Sequence, residues 1–414
     1  MNSCLIRNIQ SLVQVDEGDT SRPFLRGSAM QQLPSIEQAW LLVEGDRIVD
    51  FGTMDNCPER ADQVVDATGR MVFPSWVDSH THLVFAASRE GEFVDRIKGL
   101  SYQEIAAKGG GILNSARRLQ ETPEEVLFEQ AWQRLQEVRA MGTGAIEIKS
   151  GYGLSLEAEL KMLRVIRRLK EASDLPIRAS FLGAHALPTA FANHRQGYID
   201  LLTKELLPRI ADEQLADYMD VFCEKNFFSP AETDHLLEAG LRHGLKPKIH
   251  CNQFYSLGGV PTAIKHGAIS VDHLEVVSEA DIEHLLASTT IPTLLPTAPF
   301  FLNDHYPPAR QMIDAGLGVA LASDYNPGTT PSGKMAFVVS LACIKLRMTP
   351  EEALNAATIN GAHALEWGDQ LGSIGRGKLA NLFLTKPMPS IAFLPYSFGA
   401  NLVDQVMISG KLAS

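Results

Sequence analysis

Cysteine is scarce and scattered. The five residues in 414 (Cys4, Cys57, Cys223, Cys251, Cys343) are odd in number and hold no C-x-x-C pair. That excludes a disulfide framework and a thiolate-built zinc site, and it places the chain in a reducing compartment, the cytoplasm. Positive charge is in deficit, with 37 Lys plus Arg against 49 Asp plus Glu and a net charge of −12. Such a surface repels phosphate backbones and anionic lipid, so neither nucleic acid nor membrane is an expected partner. No apolar run reaches the roughly 18 residues that span a bilayer. The start MNSCLIRNIQSLVQVDEG has no basic segment followed by an apolar core, so no signal peptide is read. A dinucleotide fingerprint is absent too: Gly109-Gly110-Gly111 has neither the G-x-G-x-x-G spacing nor a strand before it, and reads as a loop. The composition that is present, 45% apolar and 21% charged, excludes disordered, collagenous and coiled-coil chains.

Both chain ends read as β-structure. Residues 40–51 hold two apolar runs joined by Glu44-Gly45-Asp46, a hairpin signal, and further strand patterns return at 382–385 and 403–410. The middle alternates strand and helix. Strands are expected at 77–82, 145–149, 178–185, 218–224, 246–250, 269–273, 291–296 and 318–324. Between them, Thr122-Pro123, Ser229-Pro230 and Thr349-Pro350, each followed by glutamates, combine an N-cap hydroxyl with proline at the first helical position. Leu156, Leu160, Leu163, Ile166 and Leu169 form a helical stripe. Eight strands alternating with helices predict a (β/α)8 barrel over 73–369, inserted in a small β-sandwich domain made from 1–72 and 370–414. A doubly wound sheet is the competing fold, and it lacks its fingerprint.

In such a barrel, residues at the C-terminal strand ends face the active-site mouth. His80, His82, His185, His250 and His273 fall at or near predicted strand ends, and Asp324 closes the last one. Side chains at i and i+2 of a strand point the same way, so His80 and His82 can meet one ion. Taken singly, each has a blander reading. A lone strand-end histidine is more often structural, and Asp before Tyr-Asn-Pro-Gly commonly caps a turn. Jointly, imidazoles and a carboxylate at one barrel end predict a metal site. Cys251 follows His250 directly, so alternation turns its sulfur away and it reads as packing. A set without thiolate suits zinc, iron or manganese, whose bound water ionises near neutral pH; hydrolysis is the implied reaction class.

At these residues the sequence resembles the amidohydrolase superfamily: His-x-His after the first strand, histidines after the fifth and sixth, and Asp after the eighth. Glu147-Ile-Lys-Ser-Gly-Tyr-Gly153, Gly183-Ala-His-Ala186, Val221-Phe-Cys223, His250-Cys-Asn-Gln253, Leu257-Gly-Gly259, Asp272-His-Leu274, Leu294-Leu-Pro296 and Asp324-Tyr-Asn-Pro-Gly328 resemble, more narrowly, a branch that opens an imidazolone ring bearing a carboxylate tail. The resemblance implies one zinc or iron ion on His80, His82, His250 and Asp324. It implies substrate contacts from Arg89, Tyr102, Tyr152, His185, Gln253, Asn326, Gly328 and Thr329, with a small anionic molecule as substrate, and a homodimer. His273, Asp324 and Gln253 form the implied catalytic set. Glutamine cannot titrate, so proton delivery falls to His273, Asp324 or a water. Arg89 suits the carboxylate, which its fork grips bidentately; judged alone, an arginine in this stretch reads as a surface charge.

Two other functions compete. A cyclic-amide hydrolase with two metals needs a carbamylated lysine after the fourth strand, where Lys225 fits loosely, while Lys149 belongs to the second strand. A barrel turned binding scaffold loses its metal ligands first, and all four stand here.

Overall fold

The computed structural model describes residues 3–18, 23–100, 104 and 110–413. Eight parallel strands, hydrogen-bonded in chain order, form the barrel: β1 (Trp76–Asp78), β2 (Thr143–Lys149), β3 (Ile177–Ala184), β4 (Tyr218–Cys223), β5 (Lys246–Cys251), β6 (Ser270–His273), β7 (Ile291–Leu294) and β8 (Ala320–Leu321). Every expected strand is present. The first and last are shorter than the spacing suggested, for a local reason. The Asp78 carboxylate accepts from both the backbone N–H (2.9 Å) and the hydroxyl (2.6 Å) of Ser323, where a main-chain ladder would otherwise continue. Asp324 then turns into a left-handed conformation at φ +55°. Closure is completed beyond the strand ends. The Asp324 N–H donates to the His80 carbonyl (3.0 Å) and the His82 N–H to the Tyr325 carbonyl (2.9 Å). The bonds that shut the barrel therefore run through the residues at its mouth.

The helix between β2 and β3 (Leu156–Ala172) buries Leu160, Leu163, Ile166 and Leu169 against the barrel, as the stripe predicts. Ser229 and Thr349 cap their helices in capping boxes with Glu232 and Glu352. Thr122 does not cap. Its hydroxyl donates back to the Arg118 carbonyl at 2.7 Å, closing the preceding helix, and the next helix begins at Glu124 without a side-chain cap.

The chain ends build one further sheet. Its strands run in the order 411–413, 403–408, 382–385, 71–74, 3–13, 35–44 and 47–53, and strand 63–66 pairs with the outer half of 3–13. A two-residue ribbon joins Val15–Asp16 to Ile374–Gly375. The expected hairpin is there, Glu44 facing Arg47 across Gly45 at φ +60°. This sheet encloses a hydrophobic cluster of its own, around Ile6, Ile9, Leu41, Phe51, Leu382 and Met407. Phe383 spans the two bodies, its ring 5.3 Å from Phe73 and 4.8 Å from Trp76. Among the described residues no helix is long and apolar enough to cross a membrane, and all five cysteines are unpaired.

Candidate metal centre

At the barrel mouth the side chains of His80, His82 and His250 converge. Each offers a nitrogen, and the three donor atoms lie within 4.8 Å of one another, all buried. Nε2 of His82 and Nε2 of His250 are 3.3 Å apart. Oδ1 of Asp324 stands 3.6 Å from Nε2 of His80 and of His82. Edges near 3.3 Å are those of a tetrahedron with bonds of about 2.0 Å, the length of a zinc–imidazole bond. Three further observations fit an ion here. Nε2 of His80 is buried with no hydrogen-bond partner. Burial drives His80 and His82 well below the usual imidazole pKa, with Lys149 next for His80 and His185 next for His82, so both are neutral, as ligands must be. Two of the rings are braced from behind, Nδ1 of His80 lying 2.6 Å from Asp272 and Nδ1 of His250 lying 3.0 Å from Asp220.

His273 ends β6 with its backbone at φ +90°, a conformation that a non-glycine residue holds at a cost of about 1–3 kcal/mol. Its ring centroid is 5.7 Å from that of His80 and 5.4 Å from that of His250. Nδ1 is 3.3 Å from Glu275. Burial opposes a charge on His273, but Glu275, then Asp324 and Asp272, overcome it and raise its pKa to about 9. Nothing in the local spacing announces Glu275; its role shows only once the chain turns back on itself at His273 and Leu274, both at positive φ.

The other predicted residues divide. Tyr152 and His185 line one flank, their rings 5.8 and 5.4 Å from His82 and 5.4 Å from each other. His185 is held by the Gly151 carbonyl at 3.0 Å from Nδ1. Burial, with His250 beside it, takes its pKa to about 3. The loop that carries Tyr152 is tied by Glu159, whose carboxylate accepts from the N–H groups of Gly153 (2.7 Å), Leu154 (2.9 Å) and Gly151 (3.1 Å). Arg89 is not a surface charge. Its side chain is 8% exposed and bonds Glu92. Its Nη1 lies against Gly328, where a Cβ would sit 2.2 Å away, so glycine at 328 makes room for the guanidinium. The Asn326 amide is fully engaged within its own turn: Oδ1 accepts from the N–H groups of Gly328 and Thr329, and Nδ2 donates to the Asp324 carbonyl and the Thr329 hydroxyl. Thr329 in turn reaches Asp324 at 3.3 Å. Asn326 thus shapes the loop that presents Asp324. Gln253 is half-buried in the loop after β5, which Glu224 anchors through the N–H groups of Phe254 and Tyr255. Tyr102 lies outside the described residues. Cys251 turns away from the cluster and packs on Gly259, where a Cβ would meet its own at 2.5 Å.

The two-metal alternative loses its bridge. Lys225 is exposed, its Nζ 4.5 Å above the Tyr255 ring. Lys149, at the end of β2, points into the barrel and is already consumed by Glu147 and Asp220 at 2.6 and 2.8 Å.

An eight-strand parallel barrel with three buried imidazoles and a carboxylate at its mouth defines a metal-dependent hydrolase. The chain belongs to the amidohydrolase family, which it matches over residues 71–413, and within that family to the imidazolonepropionases. It is 57% identical to the imidazolonepropionase of Christiangramia forsetii over 409 residues, 99% of each chain. It is 41% identical to that of Shouchella clausii, covering 93% of this chain and 88% of the other. Among solved structures, an adenosine deaminase from Xanthomonas campestris with bound zinc superposes with a TM-score of 0.72 at 17% identity, covering 99% of this chain and 92% of its own. E. coli guanine deaminase does so with a TM-score of 0.74 at 15% identity, covering 100% and 99%. These last likenesses concern the fold alone.

Proposed function

We propose that this chain is a cytoplasmic imidazolonepropionase, opening 4-imidazolone-5-propanoate to N-formimidoyl-L-glutamate in histidine degradation with one zinc or iron ion on His80, His82, His250 and Asp324. The observation that carries the reading is the convergence of three Nε2 atoms and one carboxylate oxygen in a family whose imidazolonepropionase relatives match the chain end to end. When bound, such an ion polarises a carbonyl and acidifies water. The chain's own residues supply the rest. Arg89, with Nη1 facing Gly328, binds the propanoate tail. Tyr152 and His185 offer a neutral wall to the ring. Gln253, Gly328 and Thr329 complete the substrate contacts, and Asn326 keeps the last two in place.

In the reaction the oxygen of water bonds to the ring carbonyl carbon. The adjoining C–N bond breaks, its electron pair stays on nitrogen, and that nitrogen takes a proton while the carbon becomes a carboxylate. Gln253 cannot move the proton. The His273–Glu275 pair can, because Nδ1 of His273 is held toward Glu275 and its Nε2 is left for the mouth. Asp324, buried and raised to about 7 by that burial, is the second group able to take a proton from water. The partner is a small anionic molecule, and the homodimer belongs to the same reading; light scattering on the eluted protein reads it. The test of function is direct: purified, metal-loaded protein is given 4-imidazolone-5-propanoate freshly made from urocanate. N-Formimidoyl-L-glutamate is the expected product, and its absence overturns the assignment.

A further inference from the structure

Beneath the imidazoles the barrel interior is charged. Glu147 and Lys149 on β2, Asp220 on β4, Lys248 on β5 and Asp272 on β6 are all fully buried. Lys149 is the hub. Its Nζ donates to Glu147 (2.6 Å) and Asp220 (2.8 Å) and lies 3.6 Å from Asp272. The last two carboxylates are the ones that brace Nδ1 of His250 and of His80. Lys248 bonds Glu147 and the Ser79 carbonyl, closing the layer. Lys149 therefore makes hydrogen bonds to two carboxylates and faces a third, yet pairs with no imidazole directly.

We propose that Lys149 is a positioning residue of the ion site. One ammonium clamps Asp220 and Asp272, on strands β4 and β6, and through them holds the proton of His250 and His80 on Nδ1, leaving each Nε2 lone pair directed at the ion. The inference rests on the reading that His80, His82, His250 and Asp324 hold an ion. The remaining bonds of the two carboxylates leave them few alternatives: Asp220 also accepts from the His250 backbone N–H (3.2 Å), and Asp272 from the Ser270 hydroxyl (2.5 Å). Without the ammonium, three carboxylates share a dry layer with only Lys248, and their mutual repulsion acts on the side chains that orient the rings. His82 has no such brace; its Nδ1 is buried without a partner. Two of the three imidazoles depend on one lysine.

The test uses the full chain as wild type, as Lys149→Met, and as Lys149→Met combined with Glu147→Gln, which restores the wild-type excess of one carboxylate in the layer. Zinc affinity is read by competition with a chromophoric chelator, and folding by circular dichroism. The expected result is an affinity about 10- to 100-fold weaker in both variants, the range typical of lost ligand-orienting partners. Wild-type affinity in either folded variant overturns the proposal; in the double variant it would mean that Lys149 only balances charge. Should neither variant fold, nitrogen NMR of the wild-type apo-protein decides: Nδ1–H is expected on both His80 and His250, and Nε2–H on either overturns it. A wild type that binds no zinc or iron contradicts the site reading instead.

Discussion

In the proposed function, Glu275 is the residue on which the proton chemistry turns. It stands 3.3 Å from Nδ1 of His273 and contributes most among the groups that raise its pKa to about 9 against burial. Glu275→Gln removes that carboxylate, so the folded pKa of His273 falls. The limb of the kcat–pH profile that reports this group is expected to move to lower pH, with kcat reduced about 10- to 100-fold, within the usual reach of general acid–base catalysis; an unmoved limb contradicts the pairing. Arg89→Ala is expected to raise KM about 10- to 100-fold with a smaller change in kcat, the scale of a lost charge-assisted bond to a carboxylate. Steady-state kinetics separate the two effects, and a loss confined to kcat contradicts the assignment. At this scale the convergence of His80, His82 and His250 was legible in the sequence because strand-end position and i, i+2 spacing are local. Asp220, Asp272 and Glu275 were not, because their roles exist only across strands or after a turn at positive φ. A local signal was nonetheless available: Glu147-Ile-Lys149 and Lys248-Ile-His250 alternate charge with apolar residues in strands whose outer face must meet helices, so the charges must point inward.

Among the elements, the loop between β2 and its helix shows how a buried carboxylate substitutes for sequence-local stiffness. Glu159 satisfies three backbone N–H groups of the segment that carries Tyr152, and burial raises its own pKa. In Glu159→Gln one acceptor oxygen is replaced by an N–H₂ group facing donors. The expected result is a stability loss of about 1–3 kcal/mol, read by denaturant unfolding, together with a severalfold rise in KM as Tyr152 loosens; unchanged KM at reduced stability would separate the loop from the site. The caps are a lesser matter. Ser229→Ala is expected to cost about 1 kcal/mol and leave turnover unchanged. Two of the three hydroxyl–proline starts, at Ser229 and Thr349, were correctly legible because capping boxes are short-range. Thr122 was misread, since the helix before it ends at Glu121 and claims its hydroxyl. The first and last barrel strands were read as too long because side-chain bonds between Asp78 and Ser323 replace the ladder there.

For the whole molecule the charge balance and the site pull in opposite directions. A net charge of −12 disfavours the proposed anionic substrate at long range, while in the proposed function Arg89 and the ion site attract it locally. Raising ionic strength from about 0.01 to about 0.15 M shortens the screening length from about 30 to about 8 Å, so kcat/KM is expected to rise; a fall would mean that the local field dominates at every distance. The architecture was legible as a whole: eight alternations predicted the barrel, and two β-rich ends predicted the sheet they share. What no sequence pattern carried was how the ends join the barrel. That depends on the contact of Phe383 with Trp76 and on the Asn381 amide, which donates to the Gly144 carbonyl at 2.7 Å. The most direct test of the central claim is the ratio of bound ion to chain, measured alongside turnover of 4-imidazolone-5-propanoate as the ion is removed by chelation and restored. One zinc or iron per chain, with activity lost and regained in proportion, is the predicted result; undiminished turnover by ion-free protein, or a need for two ions per chain, would contradict it.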